Sequence, residues 1–161
     1  MANYPVLIKA SILLSGLILS LGSCDNQNTN PGYNLIPDVE INREINIRQP
    51  SYSELSQPGG YVYLPNEGYK GLLVIQTYDQ GFYAFDRACP TAPDDSCARL
   101  TVHRSRLFIG CGSYVESQWQ PCTSSQYNLD GSIKTGPSDQ EPKSYTLNKR
   151  GNYLRITNRR P

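Results

Sequence analysis

Four cysteines, Cys89, Cys97, Cys111 and Cys122, are separated by seven, thirteen and ten residues, and a fifth, Cys24, stands alone near the N-terminus. Four thiols in one short stretch leave three readings, crosslinked, sharing a metal or free and reactive, and the first two bring at least two loops into one place. The spacing weighs against zinc, because no Cys-x-x-Cys occurs. Two disulfides suit an exported chain. Four cysteines allow three pairings, and spacing does not choose among them. A centre held by four thiolates and a free reactive thiol at Cys89 or Cys111 are the other two readings, and no Cys–His pairing supports the thiol.

Export is written at the N-terminus. Lys9 supplies positive charge, and Ala10 to Leu21 form an apolar stretch too short to span a bilayer comfortably. The segment ends Leu21-Gly22-Ser23-Cys24, which resembles the lipobox of bacterial lipoproteins. That resemblance implies a signal peptide over 1–23, acyl chains on Cys24 and a place in the bacterial cell envelope, held to a membrane on its periplasmic or surface face. Residues 24–34 are polar, with Asn, Pro and Gly and no periodicity, and read as a flexible tether. The domain proper is then 35–161. Without residues 1–23 the chain holds 14 basic and 14 acidic side chains. A neutral body offers no electrostatic footprint for nucleic acid.

Gly 13, Pro 12 and Tyr 12 against one Met and one Trp favour strands and turns over helices. Val39, Ile41, Ile45 and Ile47 alternate with polar residues. Gln49 to Gly60 reads as a loop with one helical turn at Ser51–Leu55. Tyr61 to Leu64 and Gly71 to Tyr78 read as strands, and Asp79-Gln80-Gly81 as the turn into Phe82 to Phe85. That last strand places Phe82 and Ala84 on one face and Tyr83 and Phe85 on the other. Leu100 to His103 and Arg106 to Ile109 are expected to form a hairpin around Arg104-Ser105. Gln126 to Leu129 leads through Asp130-Gly131 to Ile133, and a last hairpin pairs Ser144–Leu147 with Tyr153–Thr157. About nine short strands with frequent turns predict an all-β sandwich or open barrel.

The run GYKGLLVIQTYDQGFYAFDRACP, the two cysteine-bearing loops, then NLDGSIKTGP and a final hairpin ending LRITN resemble the Rieske family over roughly Ile45 to Asn158. The resemblance implies a small β-domain with two loops at its tip. In the family those loops hold a 2Fe–2S cluster through two cysteines and two histidines. Carried over by position, the ligand places fall on Cys89, Thr91, Gln120 and Thr123, so one of four is retained. Pro121 and Cys122 match the Pro and the disulfide cysteine of the family's second loop, Ser125 its Ser and Tyr127 its Phe, with Tyr114 to Gln120 as an insertion. The chain has one histidine, His103, where a standard Rieske site needs two. The resemblance also implies the inter-loop bridge Cys97–Cys122, which leaves Cys89–Cys111.

The expectation is therefore a lipid-anchored, non-enzymatic binding or assembly module with no cofactor, meeting an unknown protein partner, with the loop Gly112–Gln120 as the contact surface. Its rival is an electron-transfer protein holding an altered 2Fe–2S cluster for a membrane or periplasmic oxidoreductase. Other candidates are weak. Asp94-Asp95 read as solvated acids, His103 with Ser105 lacks a Gly-x-Ser-x-Gly setting, and the strand tyrosines Tyr61, Tyr63, Tyr78 and Tyr83 read as sheet packing. Trp119 with Tyr114 forms either an exposed aromatic platform or a cover over the disulfides.

Overall fold

The computed structural model describes residues 36–158. Residues 1–35, which include the expected signal peptide over 1–23, Cys24 and the expected tether over 24–34, and the last three residues lie outside them.

Ten antiparallel strands and one 3-10 helix make up the domain. In chain order they are β1 (Asn42–Asn46), the helix (Pro50–Ser56), β2 (Tyr61–Leu64), β3 (Leu72–Gln76), β4 (Phe82–Asp86), β5 (Leu100–Val102), β6 (Ile109–Val115), β7 (Gln118–Tyr127), β8 (Ile133–Thr135), β9 (Ser144–Arg150) and β10 (Tyr153–Thr157). A six-stranded sheet runs β1-β10-β9-β4-β3-β2, and a four-stranded sheet runs β5-β6-β7-β8. The all-β class holds.

β3 explains why there are two sheets. Its five residues are all buried, so both faces of the strand must be covered. Leu72 and Val74 enter one core with Ile45, Leu55, Val62, Leu154 and Ile156. Leu73 and Ile75 enter a second with Phe85, Leu100, Ile109, Cys111 and Tyr127. The period-2 alternation thus serves two apolar layers. β4 divides in the same way, with Phe82 and Ala84 to the first core and Tyr83 and Phe85 to the second.

The 3-10 helix begins at a proline, whose missing N–H has no partner to lose there. It plugs the first core with Leu55, which is fully buried. The Asp130-Gly131 turn connects β7 to β8. Gly131 has φ +90°, and a Cβ there would stand 2.6 Å from Phe85 Cε1, so both conformation and space call for glycine.

Three local expectations need correction. Arg106 to Phe108 are not strand. β6 begins at Ile109, and Leu100 pairs with Cys111, so the β5–β6 connection spans residues 103–108. His103 therefore sits in a turn rather than on a strand. The loop expected over Gly112–Gln120 is paired strand: Tyr114 pairs with Trp119 and Val115 with Gln118, extending one long hairpin. Its two-residue tip, Glu116-Ser117, has φ +48° and +73°, the left-handed pair that a type I′ turn requires.

Candidate functional site

The cysteine loops sit at the junction of β4, β5 and the long hairpin. After β4 the chain leaves the six-stranded sheet, crosses residues 87–99 and enters the four-stranded sheet at β5. Cys89 and Cys111 form a disulfide with Cα atoms 5.7 Å apart, and Cys97 and Cys122 form a second at 6.0 Å. The two bridges lie in unlike places. Cys89 and Cys111 are fully buried in the second core. Cys97 is exposed and Cys122 half-buried. The same loop is thus stapled once inside the core, through Cys89, and once at the surface, through Cys97. For separations of 22 and 25 residues, loop-closure entropy gives about 3 kcal/mol per bridge. The two spans overlap, so the sum is smaller than twice that.

Cys122 owes its position to a break in register. Gly110 pairs with Gln126 and Gly112 with Pro121, so Cys122, Thr123, Ser124 and Ser125 all stand opposite the single residue Cys111. This wide bulge is the second cysteine loop, absorbed into a strand. Ser125 is buried there, with its backbone N–H on Thr123 Oγ1 at 3.3 Å and its Oγ accepting from Ser138 N–H at 3.1 Å.

The first loop has further ties that sequence reading missed. Tyr69 Oη donates to Asp94 Oδ1 at 2.8 Å, Lys70 Nζ donates to the Asp95 carbonyl at 2.6 Å, and Asp95 Oδ1 accepts from Cys97 N–H at 2.9 Å. Asp94 and Asp95 therefore shape the loop as well as meeting solvent. Beneath it lies Asp86, fully buried at the end of β4. Its carboxylate accepts from the backbone N–H of Tyr69 (2.6 Å), Lys70 (3.2 Å) and Ala88 (2.9 Å) and from Tyr145 Oη (3.0 Å). An Asp just before Arg-Ala-Cys reads in sequence as an ordinary strand end; only the folded chain shows three segments converging on it.

The positions matching the family's ligands are now on view. Cys89 is in a disulfide. Thr91 is exposed, with Oγ1 3.6 Å from Cys89 Sγ. Gln120 is exposed on β7 opposite Ser113, and Thr123 lies in the bulge. His103 is occupied elsewhere: its ring stacks on Phe108 with centroids 4.4 Å apart, and Nδ1 lies 2.8 Å from Ser105 Oγ. A Rieske centre takes two thiolates and two imidazoles. The positions here present a crosslinked sulfur, two threonine hydroxyls and a carboxamide, and that donor set does not fit the cluster. Among the described residues no group of three or more His, Cys, Asp or Glu side chains is arranged to hold a metal ion.

A second feature flanks the bulge on the β6–β7 hairpin. Trp119 lies across Gly110 and Gly112, where added Cβ atoms would stand 2.8 Å and 3.0 Å from its Cζ2. Tyr114 packs against it at 5.1 Å between ring centroids and His103 meets it edge-on at 5.9 Å. Arg104 covers the Tyr114 ring at 4.6 Å and gives its backbone N–H to Tyr114 Oη at 2.7 Å. Tyr61, Tyr63 and Tyr83 pack against the second core as expected of sheet residues. Tyr78 does not. It lies past the end of β3, is 56% exposed, and donates from Oη to the Arg106 carbonyl at 3.3 Å.

Ten antiparallel strands with two disulfide-linked cysteine loops at one junction define a Rieske-like domain. Among solved structures, the backbone is similar to the quaternary ammonium Rieske monooxygenase CntA at 17% identity and a TM-score of 0.51, over 76% of this chain and 32% of that one. The chain thus spans about a third of the length of that monooxygenase. It is also similar to the cyanobacterial plasma membrane Rieske protein PetC3 from Synechocystis (13% identity, 74% and 99% covered, TM-score 0.46) and to the ferredoxin of carbazole 1,9a-dioxygenase from Nocardioides aromaticivorans (16%, 76% and 100%, 0.47). No protein-family model and no curated protein matches the chain. At these identities the likeness speaks for the fold alone.

Proposed function

We propose that this is a lipid-anchored protein of the bacterial cell envelope in which a Rieske-like scaffold has exchanged cofactor ligation for crosslinking and serves as a binding module. One observation carries the reading. The single retained ligand position, Cys89, is bonded to Cys111 inside the core, and the other three positions hold Thr91, Gln120 and Thr123. In this reading the domain is not an enzyme. It holds no iron, and its working surface is the β6–β7 hairpin with the adjoining bulge, facing a partner in the envelope. Attachment is through Cys24. Among the described residues no helix is long and apolar enough to cross a membrane.

The test is metal content and a visible spectrum on protein exported to its native compartment, with intact mass before and after reduction. The expected result is a colourless, iron-free protein that gains about four hydrogens on reduction, and an acylated N-terminal Cys24. Near two irons per chain, with visible absorption, would overturn the reading in favour of electron transfer through an altered cluster.

A further inference from the structure

The bulge and the tryptophan together enclose a pocket of about 260 Å³ on the four-stranded sheet. Phe108 and Trp119 supply aromatic walls, and Thr123, Ser124 and Gln126 supply hydroxyls and a carboxamide. None of the lining side chains carries a charge. Lys134, whose Nζ is 5.6 Å from the centre of the Phe108 ring, donates to the Leu107 carbonyl and does not line the space.

The pocket is built rather than accidental. The indole rests on a floor made by two glycines and is braced by Tyr114 and His103, so its orientation is set before any ligand arrives. The polar wall is equally prepared, because the register break pushes Thr123 and Ser124 out of the β6–β7 ladder. Thr123 Oγ1 accepts from Ser125 N–H and keeps its own proton to donate. Within the described residues no side-chain hydrogen bond engages Ser124 Oγ or the Gln126 carboxamide.

These features select a ligand chemistry. An ion finds no countercharge. A purely apolar molecule would strand three groups that need hydrogen bonds. What fits is a small neutral molecule with a C–H face for the electron-rich indole and a rim of groups that both donate and accept, matching hydroxyl and carboxamide partners. A pyranose ring has both, and a volume of this size admits about one ring. We infer that the Trp119–Gln126 pocket is a subsite for a neutral saccharide. The inference rests on the binding-module reading above and gives that module its ligand class. With one ring held, affinity is in the millimolar range for a single sugar and rises for oligosaccharides that extend along the hairpin.

Trp119 is the only tryptophan in the chain, beside twelve tyrosines, so emission excited beyond the tyrosine absorption band reports on this residue. The full exported chain, with both disulfides intact, is titrated with cellotetraose, xylotetraose, maltotetraose and mannotetraose, and calorimetry is run in parallel. The expected result is a saturable change in emission with at least one of them, and affinity about tenfold weaker in Trp119→Ala and Gln126→Ala. Gln126→Ala alters a half-exposed side chain, and unchanged thermal unfolding identifies it as folded. No emission change and no heat with any of the four sugars would overturn the proposal, as would calorimetric affinity in folded Gln126→Ala and Trp119→Ala equal to that of the unsubstituted protein. An iron-free protein that ignores all four sugars removes the saccharide site and leaves the scaffold reading standing. A protein carrying iron removes the scaffold reading itself.

Discussion

Tyr145 donates its hydroxyl to the Asp86 carboxylate across 3.0 Å, with both residues buried where β4, β9 and the turn before β3 meet. The bond closes a cluster in which one carboxylate also organises the backbone of Tyr69, Lys70 and Ala88. Asp86 sits three residues before Cys89, so this cluster fixes the point from which the first cysteine loop departs.

Asp86→Ala should lower stability by about 3 kcal/mol, since it removes the acceptor of the buried Ala88 N–H and Tyr145 hydroxyl and of the part-buried Tyr69 and Lys70 N–H groups. Chemical denaturation at neutral pH measures it. A loss below about 1 kcal/mol would mean that water replaces the carboxylate at little expense.

Tyr145 also sets an alkaline limit. Burial, and then the neighbouring Asp86, raise its pKa above the ordinary value of 10.0, and burial raises those of Tyr63 and Tyr127 as well. The folded state keeps protons that the unfolded chain releases near pH 10. Stability contributed by these groups is complete below pH 10 and declines as pH rises above it. Tyr145→Phe should flatten that decline, measured as thermal midpoint between pH 9 and 11 (roughly the tyrosine range). An unchanged slope would remove Tyr145 as a contributor.

The two disulfides should separate in a graded reduction. Exposed Cys97 makes its bridge to Cys122 reachable by a thiol reductant, whereas the Cys89–Cys111 bridge is fully enclosed. Alkylation with peptide mass mapping should find Cys97 and Cys122 labelled first, with the fold retained. Removing Cys89 and Cys111 together should destabilise by about 3 kcal/mol or more, because loop closure and core packing are both lost. Equal rates of reduction would contradict the difference in burial.

Lys143 holds the start of the domain. Its Nζ donates to the carbonyls of Ile36 (3.5 Å) and Pro37 (2.7 Å) and to Asp38 Oδ1 (3.0 Å). Hydrogen bonding and charge from Lys143 lower the Asp38 pKa, so this tie weakens as pH falls toward and below the ordinary carboxylate range. Lys143→Met should raise amide exchange over residues 36–41 and leave β9 and β10 protected. Exchange unchanged across 36–41 would show that Ile36 and Ile41, both buried, suffice.

Much of the fold was legible because it depends on short-range pattern. Tyr61–Leu64 and Tyr153–Thr157 appear at the expected residues, since alternation and flanking turns mark a strand locally. The β6–β7 hairpin was not legible. Its tip, Glu116-Ser117, carries none of the Asn-Gly or Asp-Gly signals that announce such turns, and Gly112, Gln118 and Gln120 have weak strand preference. Cross-strand pairing and the Trp119 ring on Gly110 and Gly112 override that preference.

By itself the sequence determined the all-β class, the two-faced strand β4 and the shortage of imidazole: one histidine cannot make two ligands, whatever the fold. Spacing left three pairings of the four sulfurs open, and only the family resemblance implied Cys97–Cys122 with Cys89–Cys111, the bridges the structure has. Tertiary structure alone decided how each sulfur is buried and what brings it to its partner. Cys111 is set inside the second core by its pairing opposite Leu100, and Cys122 is turned toward Cys97 by a four-residue bulge. Asp86 acquires its meaning in the same way, from Tyr69 seventeen residues before it and Tyr145 fifty-nine residues after it. The physical reason is range. Alternation and counting are properties of neighbouring residues, whereas register, bulges and buried hydrogen bonds depend on segments that meet only once the chain has closed.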